Sequence, residues 1–232
     1  MGKPGELRGC GTLHFREIIA VIHRAVDIVV SGIVLILLCP ILLAVAIAIR
    51  WDSPGGAIYR SWRVGRNGRH FRMVKFRSMI AEADHHGPAI TSTADARITR
   101  IGHFLRATKW DELPQFWNVL MGDMTLVGPR PETPAIVDRY TSEQARILSA
   151  KPGLTGPGAI SCSADESMAV LGGEEAERYY IEHVLERRLA LDADYVRDRS
   201  ALKDVALIVK TCQLMVYALI RKPAKSRIAN GS

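Results

Sequence analysis

The sequence predicts a mostly helical α+β fold built behind a membrane-inserted N-terminal segment, and three observations carry that expectation. The first is an almost wholly apolar run from Ile28 to Ile49, interrupted by Ser31, Gly32 and the Cys39-Pro40 pair. The second is a pair of alternating segments, Ala57 to Val64 and Arg69 to Phe76, around Gly65-Arg66-Asn67-Gly68, which spells a β-hairpin. The third is a C-terminal segment rich in helical periodicity and in charge, from Glu174 to Arg199.

The chain has 232 residues, 31 Lys and Arg against 24 Asp and Glu, and a net charge of +7. That length suits one domain with a core plus appendages, and the basic balance favours anionic partners: phosphorylated substrates, acidic lipid or nucleic acid. Nucleic acid fits poorly, because the positive charge flanks an apolar segment and aromatic side chains are sparse between the cations. Cys10, Cys39, Cys162 and Cys212 are too scattered for a metal or redox motif, so reduced thiols on the cytosolic side are expected.

In chain order, residues 1–14 are glycine-rich and read as a flexible lead-in. Residues 15–50 form the membrane segment, too long and too poorly punctuated for a signal peptide. Twenty apolar residues suffice to cross a bilayer. Yet Pro40 removes a backbone hydrogen bond near the middle. Both flanks are also basic, with Arg8, Arg16 and Arg24 before and Arg50, Arg60, Arg63, Arg66 and Arg69 after. Positive charge marks the cytoplasmic side, so charge alone leaves a span and a hairpin equally open.

Residues 51–220 form the body. The hairpin's outer arginines suit anionic lipid, while Lys75 and Arg77 at its end are candidates to reach phosphate. Ala81 to Ala96, with His85-His86 and Gly87-Pro88, reads as loop rather than metal site. Ile98, Ile101 and Leu105 mark a helix that delivers Arg106 beside two carboxylates. Asp111 and Glu112 then open a short helix to about Met121, closed by Gly122. Free N–H groups at such a start favour carboxylates and phosphate. Gly128-Pro129-Arg130-Pro131 fixes an arginine on stiff backbone. A mixed packing helix is expected over Thr133 to Ala150, and irregular loop over Lys151 to Gly158. Glu174 to Arg199 reads as a charged helix, in which Tyr195 and Asp198 are either substrate contacts or packing residues. Asp204 to Ile220 reads as an interfacial helix, and residues 221–232 as a basic disordered tail.

The ordered set Lys75-Phe76-Arg77-Ser78-Met79, Leu105-Arg106, Asp111 to Gln115, Gly122-Asp123-Met124, Val127 to Pro131, Lys151 to Gly156, and Tyr195 with Ser200 resembles the bacterial sugar transferases, the monotopic phosphoglycosyl transferases. The resemblance runs from about Arg24 to Thr211. Ser161 to Gly173 matches least and is where sugar choice would reside. It implies transfer of a sugar-1-phosphate from a nucleotide diphosphate sugar, a UDP-sugar above all, to polyprenol (undecaprenyl) phosphate, as the opening step of polysaccharide assembly. It implies a cytosolic catalytic domain on the cytoplasmic face of the bacterial inner membrane. Asp111 would be the nucleophile of a ping-pong course, and Glu112 would position substrate or share a metal. It also favours the re-entrant form of the membrane helix, broken at Cys39-Pro40, although the family often carries serine where Cys39 stands.

A diphosphate next to two carboxylates calls for a divalent cation, so Mg²⁺ at Asp111 and Glu112 is expected. Lys75, Arg106 and Arg130 would meet the phosphates. Longer relatives carry extra N-terminal spans, so this chain looks like the minimal catalytic form. The rival expectations are a non-catalytic membrane adaptor and an aspartyl-phosphate hydrolase. The sequence leaves the sugar and a homo-oligomer open.

Overall fold

A computed structural model describes residues 10–83, 95–163 and 173–220. Residues 1–9 of the lead-in, His85-His86, most of Ser161 to Gly173 and the tail lie outside the described residues, while residues 10–14, expected as part of the flexible lead-in, are helical.

Helix α1 (Cys10–Asp52) is 43 residues long and carries Pro40 inside it. The expected break at Cys39-Pro40 is therefore not an interruption of the element: proline removes one hydrogen bond, and the turns on either side continue through it. Among the described residues this is the one helix long and apolar enough to cross a membrane. Its middle stands bare, with Ile33, Ile36 and Leu37 all exposed. Cys39 is an exposed free thiol.

The apolar stretch of α1 is fastened to the rest of the chain on both sides. Just before it, Arg24 donates to the carbonyls of Val119 and Leu120 at 2.6 and 2.7 Å, and Asp27 accepts the Leu126 N–H at 3.0 Å. At its end, Ile49 packs with Ala57, Phe76 and Leu105 in a buried cluster. Asp52 accepts the Ile101 N–H at 3.0 Å, capping the helix that begins there.

The hairpin forms as the alternation predicts, β1 (Ile58–Val64) antiparallel to β2 (His70–Phe76), with Tyr59 opposite Lys75 and Trp62 opposite Arg72. Asn67 takes φ +56 at the tip, a left-handed value that asparagine tolerates. Arg72 lies over the Trp62 ring at 4.8 Å.

Helix α2 (Arg100–Thr108) is capped by Thr99, whose side chain accepts the Gly102 N–H. A 3-10 turn (Trp110–Gln115) leads straight into α3 (Phe116–Met121), which Gly122 closes at φ +95. The single helix expected from Asp111 to Met121 is thus two pieces, because Pro114 cannot donate the hydrogen bond that would wind its first turn as α.

Strand β3 (Thr125–Val127) pairs in parallel with β4 (Gly153–Thr155). The expected loop at Lys151 to Gly158 is therefore partly a strand, followed by α5 (Pro157–Ser163). Glycine makes this pairing feasible: a Cβ on Gly153 would stand 2.0 Å from the Gly128 nitrogen. The helix expected over Thr133 to Ala150 resolves into α4 (Pro134–Val137) and a 3-10 turn (Gln144–Ser149).

The charged helix is α6 (Gly173–Tyr179), a π-helical turn (Tyr180–Val184) and α7 (Leu185–Arg197). Helix α8 (Ala201–Ile220) follows, with no buried residue. Two further buried clusters hold the body, one around Phe71, Met73, Val119 and Met124, the other around Ile136, Tyr180 and Leu189.

Candidate active site

The site is assembled where the hairpin, the 3-10 turn and the segment after β3 meet. Lys109 ends α2 in the left-handed conformation (φ +61), its N–H bonded to the carbonyls of Leu105 and Arg106, and this reversal turns the chain into the 3-10 segment. Asp111 and Glu112 follow, and the short 3-10 spacing sends them to different surroundings.

Glu112 is held by two cations. Lys75 Nζ lies 2.8 Å from Glu112 Oε1, and Arg130 sends Nη2 to Oε1 at 2.6 Å and Nη1 to Oε2 at 3.3 Å. Burial by itself would push the Glu112 carboxyl up. Arg130 and Lys75 together outweigh it and hold the carboxyl well below the usual range. Glu112 in turn keeps the Arg130 guanidinium charged.

Asp111 has no such partner. It is 8% exposed, and its Oδ1 is buried without a hydrogen bond to any described residue. Burial pushes its carboxyl up, and the adjacent Glu112 charge adds to that, against the pull of Lys75, Lys109 and Arg106. One carboxylate is a fixed anion; its neighbour is an unpaired, more basic one.

The expected phosphate binders are placed unequally. Lys75 and Arg130 converge on Glu112; Lys75 has three N–H donors and Arg130 five, more than these contacts use. Arg106 lies on the Asp111 side, its charge acting on that carboxylate, while its Nε donates to Ser78 Oγ at 2.9 Å. Arg77 departs from expectation. It turns to the segment just past the end of α1, donating to the carbonyls of Ser53 and Pro54 and to Ser53 Oγ, where the chain has left the helix and backbone carbonyls still need donors. Tyr195 also serves packing: it is buried, and its hydroxyl meets Asp204 and the Val127 carbonyl. Asp198 faces Arg197 at the surface.

Several residues that matter here escape a sequence reading. Asn118, 2% exposed, behaves as a peptide group on the open edge of β2: Oδ1 accepts the Val74 N–H at 2.8 Å and Nδ2 donates to the Arg72 carbonyl at 2.8 Å. It therefore ties the strand of Lys75 to the helix that continues from Asp111 and Glu112. Glu132, Arg188 and Asp192 form a buried charged group beside Arg130. A spacing of four between Arg188 and Asp192 was the one signal available, and it reads equally well as a solvated pair.

Residues 18–218 match the family model described as bacterial sugar transferase. The chain belongs to that family. It is 37% identical over 191 residues to the UDP-glucose:undecaprenyl-phosphate glucose-1-phosphate transferase of Caulobacter vibrioides, covering 81% of this chain and 67% of the relative. It is 35% identical over 213 residues to the UDP-N-acetylgalactosamine-undecaprenyl-phosphate N-acetylgalactosaminephosphotransferase of Aeromonas hydrophila, covering 89% and 46%. Against the UDP-glucose:undecaprenyl-phosphate glucose-1-phosphate transferase of Klebsiella pneumoniae it is 38% identical over 194 residues, covering 82% and 39%. The sugar transferase thus spans two thirds of the first relative and under half of the other two.

Magnesium was expected at Asp111 and Glu112. Among the described residues no group of three or more His, Cys, Asp and Glu side chains could hold a metal. Mg²⁺ commonly rests on one or two carboxylates and takes its other oxygens from substrate phosphates and water. The orphaned Asp111 Oδ1 fits that role, whereas both Glu112 oxygens are already engaged by cations.

Proposed function

We propose that this sugar transferase moves a sugar-1-phosphate from a UDP-sugar to undecaprenyl phosphate, releasing UMP, by a ping-pong course through Asp111. The observation that carries the roles is the contrast within the acid pair. Glu112, neutralised by Lys75 and Arg130, is a poor nucleophile and a good fixed anchor for those cations. Asp111, buried and unpartnered, keeps an electron pair to donate.

In the first step an Asp111 oxygen attacks the phosphorus that bears the sugar. The bond from that phosphorus to the bridging oxygen breaks, and UMP departs with the electron pair. In the second step an oxygen of the polyprenyl phosphate attacks the same phosphorus, and the Asp111 carboxylate leaves. The product is a polyprenyl diphosphate sugar. Lys75 and Arg130 meet the diphosphate of the donor, and Arg106 balances charge on the Asp111 side. Magnesium, when bound, would shield Asp111 from the donor's negative charge and polarise a phosphoryl oxygen.

The membrane segment supports an acceptor delivered from lipid. Its two ends are fastened to one folded body, through Arg24 and Asp27 at one and Ile49 and Asp52 at the other. A span would put Asp27 and Ile49 on opposite faces, about 33 Å apart along a straight helix. A re-entrant segment, bent at Cys39-Pro40 and dipping into one leaflet, keeps both on the cytoplasmic face. Helix α8, whose Leu202, Val205, Val209 and Val216 are exposed, suits the interface, as do the hairpin arginines for anionic headgroups. The body then sits on the inner membrane where nucleotide sugars are available.

Incubation with donor alone tests the two-step course. The proposal expects a burst of UMP close to one equivalent of enzyme, with further release only when polyprenyl phosphate is added. Continuous release of free sugar phosphate without lipid would indicate a hydrolase instead, and no release under either condition an adaptor.

A further inference from the structure

The charged cluster beside the site calls for an explanation that packing does not give. Arg188 is 3% exposed and Asp192 fully buried. Arg188 Nη1 contacts Glu132 and the Tyr180 hydroxyl, and Nη2 donates to the Arg130 carbonyl at 2.8 Å. Asp192 Oδ2 lies 3.9 Å from Arg188 Nε, and Oδ1 accepts the Gly158 N–H at 2.9 Å. Gly158 admits this approach because a Cβ there would stand 2.5 Å from Asp192 Oδ2. Apolar side chains of similar size would join these helices as firmly or more so, since buried ions give up hydration.

The neighbouring backbone shows what the cluster secures. The Pro129 carbonyl accepts from Gly153, the Glu132 carbonyl from Val64, and the Gly128 N–H reaches Thr155, all backbone partners. The Arg130 carbonyl is taken instead by a side chain, that of Arg188. We propose that Arg188, braced by Asp192, is a positioning residue: it fixes the Arg130 backbone so that the guanidinium meets Glu112 and the donor diphosphate together. Neither side chain touches the reacting atoms. The inference rests on the role given above to Arg130, and it can fail while that role stands.

A double-mutant cycle in the full-length enzyme decides it. Arg188→Met, Arg188→Lys and Asp192→Asn are each made alone and combined with Arg130→Ala, and kcat and KM for the UDP-sugar are measured with the melting temperature. Positioning through Arg130 predicts that Arg188→Met lowers kcat/KM about tenfold or more. It also predicts little further loss once Arg130 is already alanine. Asp192→Asn, which keeps size and an acceptor, gives a smaller loss with the same non-additivity. Arg188→Lys, which keeps charge against Glu132 but cannot hold two partners with one planar fork, remains impaired and carries the cycle if the methionine variant does not fold. Equal losses in both backgrounds, or full activity of the Arg188 variants, would overturn the proposal. Full activity of Arg130→Ala alone would overturn the role of Arg130 itself.

Discussion

Arg130 and Glu112, eighteen residues apart, meet through two hydrogen bonds of 2.6 and 3.3 Å, while Asp111, the immediate neighbour of Glu112, leaves a buried oxygen unpaired. That asymmetry divides the labour of the pair.

The two acids therefore predict stability changes of opposite sign. Burial raises the Asp111 carboxyl above its ordinary 3.8. A raised carboxyl contributes stability below the unfolded value and loses it as pH rises, so at pH 7 the charged form is a burden. Asp111→Asn should match or exceed the wild-type melting temperature at neutral pH. Glu112 is depressed, and its stabilising contribution is present above the ordinary value and lost on acidification. Glu112→Gln leaves Lys75 and Arg130 without their counter-ion and should cost about 1–3 kcal/mol. Melting curves of both variants in detergent check the pair; a fall in both would remove the distinction.

The same shift sets an acid limb. The donor-consuming step needs Asp111 ionised, so its rate should fall with pH through a midpoint above 3.8. Stopped-time UMP release across pH measures this, and a limb at or below that ordinary value would contradict it.

Asn118 should be costly to replace although its two 2.8 Å side-chain bonds go to the backbone of β2 and not to the acid pair. Asn118→Leu keeps the volume but strands the Arg72 carbonyl and the Val74 N–H. About 2–4 kcal/mol of stability should go, and KM for the donor should rise as Lys75 drifts from Glu112. Denaturation together with donor titration tests both effects; unchanged KM would detach Asn118 from the site.

Gly102 is fixed by contact. A Cβ there would stand 1.9 Å from the Ser78 carbonyl oxygen, and that oxygen also accepts the Thr99 N–H. Gly102→Ala should cost about 3 kcal/mol or more and displace α2 with Arg106. A melting temperature within a degree or two of wild type would show that the backbone yields there.

Much of this was legible in the residues. Period-two alternation around Gly65-Arg66-Asn67-Gly68 specified the hairpin, and the apolar run specified α1, because both signals are local. The convergence of Lys75 and Arg130 near the acid pair followed from the resemblance rather than from spacing. Pairing of Thr125–Val127 with Gly153–Thr155 was hidden, since three-residue strands carry almost no periodic signal and glycine-proline composition argues for loop. The turn of Arg77 away from the site was hidden, because nothing in the sequence shows that the carbonyls of Ser53 and Pro54, just past the end of α1, take its donors. Arg188 and Asp192 carry no sequence signal beyond a spacing of four on a charged helix; only the fold reveals that they are buried.

Mass analysis of the intact enzyme after brief exposure to UDP-sugar, with no polyprenyl phosphate present, reaches the central claim most directly. The account predicts one added sugar phosphate, located at Asp111 by fragmentation and lost when polyprenyl phosphate is supplied. UMP release with no added mass, or an adduct on another residue, would contradict it.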